Sequence, residues 1–290
     1  MTNFKSRITN AGFWVRGSLF LFLMLIISGN VCGQKLETLA EIIVRGTVEQ
    51  KRDALLQIRN LETAEASRIA VPALRNSSEI VRATAVFTVV FLLPDEALQN
   101  LVPLLADKKP LVRREAAYAL GKVGDSGAVK SLLQKLQTDK IPEVENAAIV
   151  ALGEIGDIAA VADLTEILRH RPNGKEDFRR RSAARSIGQI ARNIQTGGTK
   201  VLTPENFSPD QDKGIQPPKY ENLTVRLPIF QPATAILIRI LQNDNEADDV
   251  KREAAFALGA IGDEAAAAIL TVNLNAEDYY LAEICRESLL

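Results

Sequence analysis

The stretch VRREAAYALGKVGD, Val112–Asp125, decides the fold of this chain. It recurs as VENAAIVALGEIGD at Val144–Asp157 and as VKREAAFALGAIGD at Val250–Asp263. A phrase copied along a chain indicates one supersecondary unit whose copies bury their apolar faces against their neighbours. The repetition therefore predicts an elongated stack of similar units. It also assigns the most strongly marked residues to packing before any other role.

The first residue of each copy, here called the anchor, sets a register for the rest of the chain. The strong anchors are Val81, Val112, Val144 and Val250, and the weaker ones are Gln50, Arg179 and Leu281, at successive intervals of 31, 31, 32, 35, 71 and 31 residues. Four residues after the anchors stand the small residues Ala54, Ala85, Ala116, Ala148, Ala183, Ala254 and Cys285. Eight residues after them stand the aliphatic residues Ile58, Val89, Leu120, Leu152, Ile187, Leu258 and Leu289. These spacings place both sets on one helical face, which predicts that they form the core.

Glycine and aspartate residues mark where the helices touch and where they end. Nine residues after an anchor, inside the predicted helix, lie Gly121, Gly153, Gly188 and Gly259. Glycine costs roughly 1 kcal/mol there relative to alanine, so its repetition indicates close contact between helices. The pairs Gly124-Asp125, Gly156-Asp157 and Gly262-Asp263 are typical of a helix end followed by the N-cap of the next helix. Amphipathic segments then follow at Ala128–Leu136, Ala159–Leu168 and Ala233–Leu241, so each repeat is two antiparallel helices.

These residues resemble the HEAT repeat family, in particular the short bacterial type also found in phycobilin-lyase-like proteins. The resemblance covers roughly residues 36–194 and 231–290. It includes a turn residue five positions before the anchor, as at Asn76, Asp107, Asp139 and Asn245. The resemblance implies an all-α, right-handed α–α superhelix (a HEAT-like solenoid) of about seven helical hairpins, with the first helices on the convex side and the second helices on the concave side.

The first 33 residues differ from the rest. They carry three basic residues and no acidic one (Lys5, Arg7 and Arg16), then the apolar run Leu19–Ile27, then the small-residue stretch Ser28–Gly33. This order is typical of a secretory signal peptide. A membrane span would need roughly 20 apolar residues. We therefore expect residues 1–33 to be removed and the protein to be exported, to the periplasm or beyond the cell.

A lipoprotein that uses Cys32 is the alternative, disfavoured because Val31 stands where a smaller residue is usual. The HEAT-like repeats then occupy residues 34–195 and 231–290. Between them, residues 196–230 form an insertion with five of the twelve prolines. Leu223, Val225 and Leu227 alternate with polar residues there and predict a short extended segment. Such a loop serves either recognition or surface decoration.

A series of basic residues follows the anchors by one or two positions. It comprises Lys51, Arg52, Arg82, Arg113, Arg114, Arg180, Arg181, Lys251 and Arg252. These residues either form a stripe that binds an acidic partner or pair with turn residues such as Asp107 and Asp139 to join neighbouring repeats. We favour the structural interpretation, because Glu145 and Asn146 interrupt the series and repeats need contacts between neighbours. The net charge of −1 gives no general attraction to nucleic acid.

The sequence shows no recognisable catalytic equipment. His170 is the one histidine, and we expect it to help cap the carboxyl end of a helix. The His-Glu pairs with which deoxyhypusine-hydroxylase-like HEAT proteins bind iron are missing, as are a Gly-rich phosphate loop and a CxxC pair. Cys285 is expected to be a small buried hydrophobe. We therefore predict no catalytic residue, no cofactor and no metal.

The function that these observations favour is an exported, non-enzymatic scaffold that binds another protein on the concave face. The residues predicted to contact that partner are Arg113, Arg114, Tyr118, Arg181 and Lys251, with the insertion as a rim. No nucleic acid is expected, and the membrane is contacted only through an uncleaved signal segment. The alternative is an enzyme of the chromophore-lyase or deoxyhypusine-hydroxylase type, disfavoured by the export signal and the missing His-Glu pairs.

Overall fold

The computed structural model describes residues 35–172, 174, 176–197 and 220–289. The predicted signal peptide and most of the predicted insertion lie outside them. Every regular element in the described residues is a helix. The α-helices are α1 (35–45), α2 (Val48–Arg59), α3 (Ala64–Ala70), α4 (Glu79–Thr88), α5 (Pro94–Leu101), α6 (Pro110–Val123), α7 (Val129–Thr138), α8 (Pro142–Ile155), α9 (Val161–Leu168), α10 (Asp177–Thr196), α11 (Leu223–Arg226), α12 (Phe230–Gln242), α13 (Asp248–Ile261), α14 (Ala267–Val272) and α15 (Tyr279–Ser288).

Short 3₁₀ turns extend several of these helices. They follow α3, α4, α5 and α14 at Val71–Arg75, Val89–Phe91, Val102–Ala106 and Asn273–Asn275, and precede α7, α9 and α14 at Ser126–Ala128, Ile158–Ala160 and Glu264–Ala266. Among the described residues no helix combines the length and the hydropathy needed to cross a membrane.

The helices form two compact units that divide after Leu92. The first unit contains the pairs α1/α2 and α3/α4. The second contains α5/α6, α7/α8, α9/α10, α12/α13 and α14/α15, with α11 before α12. The described residues thus hold the seven helix pairs that the anchors predict, and the all-α solenoid class is confirmed. We call the second member of each pair, which carries the anchor, the second helix.

The predicted core positions are buried with one exception. All seven small residues four positions after the anchors are at most 1% exposed, as are six of the seven aliphatic residues eight positions after them. Leu289 is 39% exposed, so its predicted burial is wrong. It lies at the C-cap of α15, just outside the body of the helix. The register of the core therefore follows from the repeated phrase alone.

Close approach between second helices explains the glycines nine positions after the anchors. A Cβ atom at Gly121 would lie 2.8 Å from the Cα of Ala151 on α8, and one at Gly188 would lie 3.0 Å from the Cα of Ala257 on α13. Atoms that close cannot coexist, so each glycine lets the backbones of neighbouring second helices meet. The prediction of close helix contact is confirmed.

The predicted helix ends are also confirmed. Gly124 closes α6 with a φ of 74°, in the left-handed region that favours glycine. The carboxylate of Asp125 then accepts a hydrogen bond of 2.7 Å from the N–H of Gly127, which caps the next turn. The same arrangement recurs at the end of α8 and of α13. These caps fix the sharp reversal between the second helix of one pair and the first helix of the next.

One local prediction differs from the structure, and one turn differs from those of the other repeats. Leu223–Arg226 form a helical turn rather than an extended segment, because Asn222 caps it by accepting a hydrogen bond of 3.0 Å from the N–H of Thr224. The side chains of Asn76, Asp107 and Asp139 each accept a hydrogen bond from the N–H two residues later, which Asn245 does not do. Its N–H instead donates to the side chain of Asn243 (3.1 Å), so the turn begins two residues earlier in that repeat.

Cys285 is buried in the core, as predicted for the small position of the last repeat. Burial raises the pKa of its thiol to about 11, so the reactive thiolate is scarce at neutral pH. We expect the peptide that contains Cys285 to resist alkylation by iodoacetamide in the native protein at pH 8 and to react fully in denaturant. Mass spectrometry of that peptide measures both states, and rapid native labelling would contradict this placement.

Candidate functional site

Several members of the basic series after the anchors join neighbouring repeats. In the second unit the guanidinium of Arg113 donates to both carboxylate oxygens of Asp139, at 2.6 and 2.9 Å, and to the carbonyl of Asp107 at 3.0 Å. In the first unit Arg82 donates to the carbonyls of Asn76 and Ser77, at 2.8 and 3.0 Å. These bonds tie Arg113 to the following repeat and tie Arg82 to the turn before its own helix. The structural interpretation, pairing with a turn residue of the neighbouring repeat, is confirmed for Arg113.

The same linkage continues through the later repeats of the second unit. Arg180 forms a buried bidentate pair with Glu246, whose Nη2–Oε2 distance is 2.7 Å. The side chains of both residues are at most 2% exposed. Arg252 donates from its Nε to Asp278 at 2.8 Å. Each arginine therefore reaches the turn or helix start of the next repeat, so sequence-distant repeats are joined by charged hydrogen bonds.

Glu145, which interrupts the basic series, reverses the direction of this linkage. Its carboxylate lies 3.1 Å from the Nε of Arg179, the anchor of the next repeat. Burial raises the pKa of Glu145, and the nearby charge of Arg179 opposes that effect. In this repeat the acid is therefore on the earlier helix, α8, and the base is on the later helix, α10, and the two helices are still joined by an ion pair.

The Arg252–Asp278 ion pair makes the stability of the fold depend on pH. The hydrogen bond from Arg252 holds the pKa of Asp278 below its usual range, against a smaller opposing effect of burial. A carboxyl whose pKa is lower in the folded state stabilises the fold above its unfolded pKa of about 3.9 and loses that contribution as pH falls through the folded value. We expect the melting temperature to fall with acidification in that range.

The variant Asp278→Asn isolates the charge. Asp278 also caps α15 by accepting a hydrogen bond from the N–H of Leu281 (3.0 Å), and asparagine is an equally good N-cap. We therefore expect this variant to melt at a lower temperature than wild type at pH 7, with a difference that shrinks as the pH falls below about 3.9. Thermal scans from pH 3 to 7 measure this. A constant difference across that range would show that the charge of Asp278 does not matter.

A second set of positions on the second helices is largely open to solvent, although Ala83 and Asn146, each two after its anchor, are buried. Residues one before, two after and six after the anchor lie on one helical stripe, because they are spaced by three and four residues. In the second unit they include Phe178, Arg181 and Arg185 on α10, Asp249, Arg252 and Phe256 on α13, and Tyr280 on α15. We call this stripe the second-helix face. Phe178 is 52% exposed and Tyr280 is 65% exposed, which is unusual for large apolar side chains.

Arginines stack on the aromatic rings of the second-helix face. The guanidinium of Arg181 lies 4.8 Å from the ring centre of Phe178, and that of Arg252 lies 5.3 Å from the ring centre of Tyr280. Arg181 also donates to Asp249 at 3.0 Å. These contacts attract the cation to the ring and restrict both side chains. The face therefore presents aromatic rings and arginines whose positions are largely fixed.

The structure separates the five predicted contact residues into two sets. Arg114, Tyr118 and Arg181 occupy the second-helix face and are partly exposed. Arg113 and Lys251 stand one position after their anchors, outside that stripe, and the guanidinium of Arg113 is occupied by Asp139. The face therefore keeps the first three, whereas Arg113 belongs to the linkage between repeats.

Sequence reasoning found Tyr118 but missed the other aromatic members of the face. Phe256 and Arg185 occupy the same register position, six after the anchor, as the predicted Tyr118, and Phe178 and Tyr280 occupy the position one before the anchor. The anchors are enough to identify these residues. In a helix, the positions one before, two after and six after an anchor lie opposite the core positions four and eight after it. Reading those three positions across all repeats would have found these residues.

The histidine and the acidic residues of the described chain form no metal site. No group of three or more His, Cys, Asp or Glu side chains there is arranged to hold a metal ion. His170 lies two residues beyond α9, where its backbone N–H donates to the carbonyl of Ile167 at 3.3 Å. The backbone of His170 thus contributes to closing the helix end, and its side chain is exposed.

Comparison with known proteins matches two family models. The model for HEAT repeats matches residues 67–141 and 125–188, and the model for the PBS lyase HEAT-like repeat matches residues 250–276. No curated protein matches the chain.

Solved structures similar to this one include a crystal structure of an engineered protein, at 19% identity and a TM-score of 0.51 over 88% of this chain and 67% of the other. The complex of CpcE and CpcF of phycocyanin lyase from Nostoc sp. PCC7120 has 20% identity and a TM-score of 0.47 over 88% and 86% of the two chains. Human deoxyhypusine hydroxylase in complex with glycerol has 18% identity and a TM-score of 0.41 over 91% and 97%. At these identities a likeness indicates the fold alone.

Proposed function

Because the chain is a HEAT-repeat protein, we propose that it is an exported, non-enzymatic scaffold that binds another protein on its second-helix face. The observation that carries this proposal is the set of exposed aromatic rings stacked with arginines on α10, α13 and α15. Tyrosine and arginine are enriched among the residues that contribute most to protein–protein binding, and aromatic residues are enriched in interfaces generally. Residues 1–33, with their basic start and apolar centre, support the export part of the proposal.

The fixed geometry of the face favours binding. Holding a flexible side chain in place on association costs about 0.5–1.5 kcal/mol. Arg181 is already held by Phe178 and Asp249, and Arg185 by Glu253 at 3.0 Å. A partner that contacts these side chains therefore avoids much of that cost. Acids beside the arginines also keep the face from attracting anions in general, which favours a partner chosen by shape and aromatic contact.

Site-specific photocrosslinking in cells tests this proposal. A benzoylphenylalanine residue at Tyr118 or Arg185 reports on the second-helix face, and the same residue at the exposed Lys130 or Gln134 on α7 reports on a first helix. We expect one envelope protein to crosslink from the first two positions and not from the other two. Equal crosslinking from both sets, or products that are all cytoplasmic proteins, would refute the proposal.

The non-enzymatic part has its own test. An enzyme of the chromophore-lyase or iron-dependent hydroxylase type would bind its pigment or metal in a fixed ratio. We expect no new stoichiometric absorbance band when bilin or ferrous iron is added to the purified protein. Such a band would overturn this part of the proposal and leave the protein-binding part to be decided by the crosslinking experiment.

A further inference from the structure

A cleft of about 340 Å³ lies where α9 and α12 end. Its walls carry five basic side chains, those of Arg169, His170, Arg171, Arg180 and Arg239. None of them stands at the −1, +2 or +6 positions that define the second-helix face. The cleft is therefore a separate feature of the second unit, and the protein-binding proposal does not use it.

The charges of the cleft sum to a small positive excess. Arg169 pairs with Glu166 at 2.9 Å, and Arg180 pairs with Glu246 at the wall itself. No ion pair joins Arg171 or Arg239 to an acid within the described residues, and both are exposed. The carboxyl ends of α9 and α12 each contribute about half a negative charge, which together offset about one of these two cations. About one positive charge remains on the described side chains of the cleft, with His170 counted as neutral.

Apolar side chains complete the cleft. Leu168 comes from the end of α9, and Ile236 and Ile240 come from the last turns of α12. The volume is near the lower end of the range of roughly 300–1,000 Å³ found for small-molecule sites, which combine apolar walls with a few polar groups. The cleft has both components, and its size fits a molecule with a short apolar body.

We propose that this cleft binds a small organic monoanion, a carboxylate attached to an apolar group. The carboxylate is recognised by Arg171 and Arg239, since guanidinium groups donate paired hydrogen bonds to carboxylate oxygens. The apolar group packs against Leu168, Ile236 and Ile240. A carboxylate carries one negative charge, which matches the single excess positive charge of the cleft. A phosphate dianion would carry two negative charges.

Calorimetric titration of the full chain tests the proposal with four probes. Octanoate carries the proposed chemistry, octylammonium reverses the charge, octanol removes it, and inorganic phosphate replaces the carboxylate by a dianion. We expect octanoate to bind with a stoichiometry of one and at least tenfold more tightly than any of the other three. An equal affinity for octanol, a tighter affinity for phosphate, or no binding of octanoate would each overturn the proposal.

Variants then locate the site. Arg171→Gln combined with Arg239→Gln removes both unpaired charges from exposed positions, so the fold is expected to be retained, which circular dichroism checks. We expect octanoate affinity to fall at least tenfold. The control Lys130→Gln removes an exposed charge from α7 and should leave the affinity unchanged. Octanoate binding that survives the double substitution would place the site elsewhere and refute the assignment.

Discussion

Replacing Arg180 with methionine is expected to lower the free energy of unfolding by about 3–5 kcal/mol. The substitution leaves the carboxylate of Glu246 buried, at 1% side-chain exposure, without the cation that forms its bidentate pair. An uncompensated buried charge is among the most costly defects in a protein interior. Urea unfolding followed by circular dichroism measures the change.

The double variant Arg180→Met, Glu246→Leu separates the pair from its packing. Replacing both members of a buried ion pair by apolar residues of similar size is often neutral or stabilising. We therefore expect the double variant to recover most of the stability that the single variant loses. Arg185→Met is the matched control, because the side chain of Arg185 in its pair with Glu253 is 60% exposed and such pairs contribute about 0–1 kcal/mol. A single variant as stable as this control would contradict the buried linkage.

Gly121→Val is expected to have the second largest effect, a loss of about 1–3 kcal/mol or more. A Cβ atom at Gly121 would meet the backbone of Ala151 at 2.8 Å, so α6 and α8 would have to separate. In an exposed helix the same substitution would instead be mildly stabilising, because valine is a better helix former than glycine. The sign of the change therefore distinguishes a packing role from a neutral one.

The control for this prediction is Ala162→Val, on the exposed side of α9. It introduces the same side chain where no helix approaches, so we expect a cost of no more than about 0.7 kcal/mol from helix propensity alone. Urea midpoints of the two variants give the comparison. If Gly121→Val proved as stable as wild type, the glycines of the repeated phrase would not be contacts between helices.

The repeated phrase predicted most of the fold because its positions have local duties. Ala116 and Leu120 are buried through helical spacing alone, and Gly124 and Asp125 end one helix and start another through backbone geometry alone. Each of these roles depends on a few neighbouring residues. Leu289 failed the same test because it lies at the C-cap, where the helical spacing no longer applies.

What the sequence could not predict depends on contacts between distant residues. Arg180 and Glu246 are 66 positions apart, and the insertion lies between them, so no spacing rule pairs them. The turn before α13 begins at Asn243 rather than Asn245, which no pattern in that turn indicates. The second-helix face was only partly found for the same reason, because Phe178 and Phe256 become members of one surface only when α10 packs on α13.

The central claim is that function lies on the second-helix face and not in the repeated phrase. Once crosslinking has identified a partner, its affinity for the double variant Phe178→Ala, Tyr280→Ala tests this most directly. The control is Leu93→Ala, Val272→Ala, which truncates two side chains that are 60% and 69% exposed outside the face and the insertion. All these side chains are exposed, so urea midpoints should stay near that of wild type. We predict at least a tenfold weaker affinity for the face variant and wild-type affinity for the control, whereas equal affinities would contradict the claim.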